Sequence, residues 1–412
     1  MRKKSFSLEK IRKRKDKKNK MALKKIKILF ISRTYPPVVG GMERVSFNLI
    51  KSIAGLEETT VTAIVNRGGK KTLPIFIVAL LPKILISVRK YDLVHLSDAV
   101  LAPIGDIIKM IHPKVKVVCT IHGLDVTYAG KNSFYKKINL PALFSLDKII
   151  AVSQATKQIA LDFKVPKQII TVIPNGIGSK EIYNSKIKKQ ALATLLKKKS
   201  EQKFNNNLTG KFNEKVFILT LGRLCKRKGV AWFIENVLGK LDSKVVYLIA
   251  GDGEEKENIK KVAKKFHLED KIYLLGFVSS EEKQILLNTV DIFVQPSIKV
   301  KNDMEGFGIN MLEASSCKLP VVATGIEGIK EAVVNGKNGF LIKLAGVSAW
   351  IKILHRLTED PELRHGFGER AREYTIHNFE WSIIAKRYLA EFKKVIAEKH
   401  VITRNKRSEM TK

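Results

Sequence analysis

KVFILTLGRLCKRKGVAWFIENVLGKL, residues 215–241, is the stretch on which the fold turns. A β-branched apolar run reaches Gly222, a short basic loop follows, and after Gly229 apolar residues recur at helical spacing through Val230, Phe233, Ile234 and Val237. A strand feeding a helix across a tight loop is the repeating half of a β-α-β unit. Downstream the alternation continues through SKVVYLIAG, EKENIKKVAKKF, DKIYLLGFV, VDIFVQPS, GFGINMLEASSC, LPVVATG and GFLI. This predicts a doubly wound parallel-sheet domain over about 212–376.

Upstream the same grammar appears in KIKILFIS, GMERVSFNLIKSI, TTVTAIV, YDLVHLS, VKVVCTI, DKIIAVS and IITVIPNGI, predicting a first such domain over 22–183. Between them 184–211 is polar, Asn-rich and basic, and reads as a linker or an inserted helical hairpin. Residues 377–412 read as a final helix and a basic tail. Two doubly wound domains in tandem leave a cleft between the carboxyl ends of their strands, where open α/β sheets bind ligands.

Composition bounds the rest. With 412 residues, 45% of them hydrophobic, the chain buries large cores, and disorder as the main state is excluded. The net charge of +37 is concentrated. Residues 1–27 carry fourteen Lys/Arg and two acids, 186–215 nine and two, and 386–412 nine and three. Such segments attract any polyanion, and composition does not choose among lipid headgroups, nucleic acid and ribosomes. The arm 1–21 reads as disordered and, lacking an apolar core, is not a secretory signal. Cys119, Cys225 and Cys317 are too few and too scattered for a disulfide scaffold or a cysteine-rich zinc site, so a reducing, cytoplasmic compartment fits. The most apolar stretch, 73–88, is broken by Pro74, Pro82 and Lys83, so it is not a transmembrane span; it reads as a helix packed on a sheet, ahead of the alternative of a membrane-dipping surface helix.

Four strand-to-helix loops hold the chemistry. Gly40 and Gly41 form either a plain turn or a place where backbone approaches an anion at a helix N-terminus. Arg223 and Lys228 are either solvated bases or a guanidinium and an ammonium facing a leaving diphosphate, with Lys226 and Arg227 assigned to the solvated class. In MEGFGINMLE, Glu305 sits at the loop mouth and Glu313 about two helical turns on, too far apart to share a proton. One suits a sugar and the other a ribose diol, with the amides of Phe307, Gly308 and Ile309 aimed at the same ligand; the alternative is a capping acid and an exposed helix charge. His122, in TIHGLD, contacts a hydroxyl, carries a proton, or is structural. The histidines are scattered, no carboxylate pair suggests a metal, and the GDG of 251–253 is a lone turn at the pocket's border.

Taken in order, PPVVGGMERV, HGLDVTY, AVSQATK, IPNGI, GRLCKRKG, IAGDG, VQPS, EGFGINMLE and LPVVATGIEGIKEAV resemble the retaining glycosyltransferases of family 4, over nearly all of 24–395. The resemblance implies the GT-B fold, two Rossmann-like lobes facing across a cleft, with the last helix crossing back to the first lobe. It implies a nucleotide-sugar donor, a sugar, lipid-linked or polysaccharide acceptor, and no cofactor or metal. Arg223 and Lys228 then match the diphosphate clamp, Glu313 the ribose carboxylate and Glu305 the acid beside the sugar. Phe307, Gly308 and Ile309 match the amide loop, Gly40 and Gly41 the first-lobe glycine loop, and His122 the histidine by the transferred sugar. Acceptor choice is expected in 66–72 and 126–136. Basic arms at an anionic inner membrane face are a dependent expectation.

Two other readings compete. A nucleic-acid or ribosome-binding protein explains the charge but predicts aromatics among the basic clusters, and 1–27 holds only Phe6. A nucleotide-sugar epimerase or a phosphorylase keeps the fold, yet the Arg/Lys loop and spaced glutamates favour transfer.

Overall fold

The computed structural model describes residues 25–38, 40–127, 133–199 and 212–398. The arm 1–21, residues 200–211 of the central segment, 128–132 of the second acceptor loop and the tail from 399 lie outside the described residues.

The first sheet contains β1 (Ile26–Ser32), β2 (Thr59–Val65), β3 (Leu93–Leu96), β4 (Lys116–Ile121), β5 (Lys148–Ala151) and β6 (Ile170–Val172), in the order β2-β1-β3-β4-β5-β6. The second contains β7 (Val216–Leu221), β8 (Val245–Ala250), β9 (Ile272–Gly276), β10 (Ile292–Gln295), β11 (Val321–Thr324) and β12 (Phe340–Ile342), in the order β12-β11-β10-β7-β8-β9. Every pairing in both sheets is parallel. Helices on both faces explain why the strands read as continuous apolar runs and not as alternating ones. In each sheet the order reverses beside the first strand, β1 or β7, which puts the loops after those strands at the switch point where such folds bind ligands.

The helices that matter below are α1 (Gly41–Ala54), α2 (Leu73–Ser87), α3 (Ala102–Ile111), α4 (Lys189–Lys199), α5 (Ser280–Thr289), α6 (Ile309–Ser316), α7 (Pro361–Phe379) and α8 (Trp381–Ala397). Two findings redraw the expected boundaries. Helix α4 lies inside the segment read as a linker, and its Leu192, Leu195 and Leu196 are buried in the second lobe's core with Phe217 and Leu286. Its lysine-rich composition hid an apolar stripe on one face.

Helix α7 runs to Phe379, past the expected edge at 376, and α8 then packs on the first lobe. Trp381, Ile384, Tyr388 and Phe392 share a buried cluster with Phe30, Val45 and Leu49. The two crossings between lobes pair with each other: Ile177 N donates to Phe379 O at 2.8 Å and Trp381 N to Ile177 O at 3.0 Å. Gly176 lies flat against the Trp381 indole, where a side chain would meet the ring at 2.6 Å. This short bridge is the mechanical joint of the molecule.

Candidate active site

β7 ends at Leu221, and the chain turns through Gly222 at φ +138° into the basic loop. The GDG turn after β8 sets this loop: Leu224 N donates to Asp252 O at 2.9 Å, and a side chain on Gly251 would strike the Gly222 carbonyl. The lone turn is therefore the backing of the Arg223 loop.

The cations there separate by burial. Lys228 is 6% exposed, and its Nζ donates to Glu305 Oε2 at 2.6 Å. Arg223 is exposed, yet its charge is among those acting on the Glu305 carboxyl. Arg227, expected to be solvated, is 8% exposed, donates from Nε to Met304 O at 3.1 Å and lies 3.8 Å from Glu305. It is the pin of the 303–305 loop. The sequence hid it because three consecutive bases look alike until one side chain turns inward.

Glu305 is fixed from both sides. Its N–H donates to Glu327 Oε2 at 2.7 Å, and its carbonyl accepts from Gly328 N at 3.1 Å. Burial pushes its carboxyl up, while Lys228, Arg227 and Arg223 together override that and hold it below the ordinary value. Next to it, burial raises Glu327.

Glu313 departs from the expected spacing and from the exposed-charge alternative. The helix starts only at Ile309, with Gly308 as a left-handed cap, so Glu313 is about one turn in and not two. It is 6% exposed rather than a surface charge. One carboxylate oxygen pairs with Lys283 of α5, and the other accepts from Arg44 Nη1 of α1 at 3.2 Å. That second bond crosses the cleft. Burial lowers the Lys283 ammonium despite Glu313.

Arg44 and Lys283 escaped the sequence reading because a base that pairs with a buried acid from distant sequence looks like a surface base until the helices pack. Asn310 is a third: its Nδ2 donates to Leu221 O at 2.8 Å and to Gln295 Oε1 at 3.1 Å, tying α6 to the mouth of β7. Among the described residues nothing accepts from the N–H groups of Phe307 or Gly308, so the amide row at the start of α6 is open.

From the first lobe, His122 follows β4 directly. Its Nε2 contacts Ser97 O at 3.0 Å, so that nitrogen carries the proton, and its backbone N–H donates to Asp125 Oδ1 at 2.9 Å. Burial raises the Asp125 carboxyl, while His122 opposes the rise. The next residue touches the other lobe. A side chain on Gly306 would strike the His122 carbonyl, and one on Gly123, at φ +101°, would meet Gly306 Cα at 3.3 Å. Only backbone fits between these loops. Thr156 Oγ1 to Gly306 O at 3.4 Å and Gln154 N to Glu331 Oε1 at 2.9 Å extend the contact. Gly40 caps α1 in an extended conformation under the Glu43 carboxylate, and Gly41 faces open space.

Thus Lys228, Glu305 and the 307–309 turn lie together with the His122 backbone packed on Gly306, Arg223 is exposed beside them, and Glu313 with Arg44 lies one helical turn on. Among the described residues no cluster of three or more His, Cys, Asp or Glu is placed to hold a metal.

Two six-stranded, doubly wound lobes meeting across a cleft at their strand ends define a GT-B glycosyltransferase fold. The chain matches the family "Glycosyltransferase Family 4" over 39–180 and "Glycosyl transferases group 1" over 198–374, and it belongs to the glycosyltransferases of this type. It is 25% identical to N-acetyl-alpha-D-glucosaminyl L-malate synthase of Bacillus anthracis, over 68% of either chain. It is 27% identical to the UDP-Gal:alpha-D-GlcNAc-diphosphoundecaprenol alpha-1,3-galactosyltransferase of Escherichia coli, over 68% of this chain and 69% of that one. HepE of Anabaena, solved with UDP, superposes with a TM-score of 0.69 at 19% identity, covering 90% of this chain and all of the other.

Proposed function

We propose that the protein transfers a hexose from a nucleotide-sugar donor to a lipid-linked or polysaccharide-precursor acceptor, with retention of configuration and with fixed cations in place of a metal. The observation that carries this is the buried Lys228–Glu305 pair at 2.6 Å, beside the open amides of 307–308 in a loop whose Gly306 packs on the His122 carbonyl. A pre-formed anion and cation at a helix start are what a departing diphosphate and a sugar hydroxyl require together. The E. coli relative named above acts on a diphosphoundecaprenol-linked sugar, which supports the lipid-linked class of acceptor.

As the sugar–phosphate bond breaks, positive charge builds on the anomeric carbon and negative charge on the diphosphate. Arg223 and Lys228 stabilise the leaving group, and the amides of Phe307, Gly308 and Ile309 add their dipoles. Glu305, held as an anion, accepts from donor-sugar hydroxyls. It is not the covalent nucleophile, because an ammonium at hydrogen-bond distance already neutralises it. Glu313 accepts from the ribose diol, Gly40 and Gly41 give the phosphates room, and His122 lines the acceptor side.

The test is a screen of UDP-, GDP- and ADP-sugars with chelator present, followed by assignment of the product anomer by NMR. Turnover with the donor's configuration kept supports the proposal. An inverted product overturns retention, and loss of activity on chelation overturns metal independence. Turnover by an Arg223→Ala, Lys228→Ala double variant at the rate of the unaltered chain overturns the assignment of the clamp.

A further inference from the structure

The first lobe carries a surface that the cleft does not use. Helix α2 buries Leu80, Ile84 and, just past its end, Val88 against the sheet, as its apolar composition demands. Its outer side is apolar as well: Ile75 is 73% exposed, Val78 68% and Ile86 75%. With Pro74, Ala79 and Pro82 they form one stripe along the helix, about 16 Å long from Ile75 to Ile86. Helix α3 packs beside α2 and likewise exposes Met110 at 69% and Ile111 at 43%. Single exposed apolar residues are ordinary, but a stripe on one helix with two more large apolar side chains exposed on its neighbour marks an interaction face.

Charge selects the occupant. From Thr59 to Tyr91 there is no Asp or Glu, while Arg67, Lys70, Lys71, Lys83, Arg89 and Lys90 supply six cations. Lys83 rises from within the stripe, and Lys71, Arg89 and Lys90 stand exposed at its two ends. The described chain begins next to the same place: Lys27 N donates to Asp92 Oδ2 at 2.8 Å, two residues past Lys90. A protein partner complementary to this face needs acids amid apolar groups, whereas an anionic bilayer supplies both continuously. Apolar side chains enter the headgroup–acyl boundary, and lysines keep their stems in it with their charges at the phosphates. The helix is too short to cross, since among the described residues none is long and apolar enough to span a membrane.

We infer that the outer face of α2, with Met110 and Ile111 of α3, docks the first lobe onto an anionic lipid surface. This inference does not rest on the proposed sugar transfer, and its readout is lipid binding.

The test is flotation of the full chain with phosphatidylcholine vesicles containing about 30% phosphatidylglycerol, against phosphatidylcholine alone. The expected result is flotation with the anionic vesicles only, reduced about tenfold or more by Ile75→Glu, Val78→Glu, Ile86→Glu together. These side chains are at least two-thirds exposed, so the variant keeps its melting temperature and its donor-sugar turnover in solution. A second variant, Lys83→Glu, Arg89→Glu, Lys90→Glu, should lose flotation with the apolar stripe intact. Undiminished flotation of the apolar triple variant overturns the inference. So does flotation that only deletion of residues 2–20 abolishes, which assigns it to the arm alone. An unaltered chain that does not float, or one that is a dimer made monomeric by the triple variant, overturns it as well.

Discussion

Both lobes are six-stranded parallel sheets with different strand orders, and they pair the cations of their first loop differently. In the second lobe the loop after the first strand turns its cations inward: Lys228 and Arg227 are 6% and 8% exposed and are committed to the 303–305 loop. In the first lobe the equivalent loop carries two glycines, and Gly41 faces open space. That loop also holds Arg33, whose guanidinium pairs with the buried Asp98 at 2.9 Å within its own lobe. Buried ion pairs cost desolvation and hold geometry, so they belong where one chemical group is gripped the same way each time. Open loops and exposed apolar helices belong where the ligand is large.

The comparison breaks first at Lys228. Lys228→Ala leaves Glu305 buried with Arg227 at 3.8 Å as its remaining close cation, so about 3 kcal/mol of stability and up to about a thousandfold in kcat/KM should go, read by denaturant melts and steady-state kinetics. Glu305 should make that stability pH-dependent. Its folded value lies below the unfolded one, so the contribution is present above the ordinary carboxylate range and is lost as pH falls through the lowered value.

The first lobe should fail by acid through a different group. Burial lowers His95 to about 3, with the His122 charge adding to it. The folded state then binds fewer protons than the unfolded one between that value and about 6.5, so stability drops across this window on acidification. Roughly 3–5 kcal/mol is at stake, and His95→Gln should flatten the slope in melts taken from pH 7 to 4.

Arg223→Ala sharpens the contrast inside the second lobe. The side chain is exposed, so stability should stay within about 0.5 kcal/mol while kcat falls about a hundredfold. Normal turnover by that variant would show that the rim cation is solvent-facing and nothing more. The smallest effect is expected at Arg44→Ala. Its bond to Glu313 crosses the cleft from a side chain that is 39% exposed, so it contributes under about 1 kcal/mol. Donor KM should fall by a fewfold, because the ribose no longer competes for Glu313, and a raised KM would reverse that assignment.

Much of this was legible from sequence alone. Strand and helix periods, the glycines after β7, β8 and β11 and the ordered run of loops set two doubly wound sheets, and Glu305, Lys228 and His122 sit in those loops. Local rules suffice there because a strand-to-helix junction is built by residues adjacent in the chain. What only the tertiary structure decided is which of three neighbouring bases turns inward, that Glu313 is buried between Lys283 and Arg44, that a lysine-rich segment holds a core helix, and that α2 is apolar on both faces yet covered on one. Burial depends on what arrives from distant sequence, and a charge or an apolar side chain takes its meaning from that neighbour.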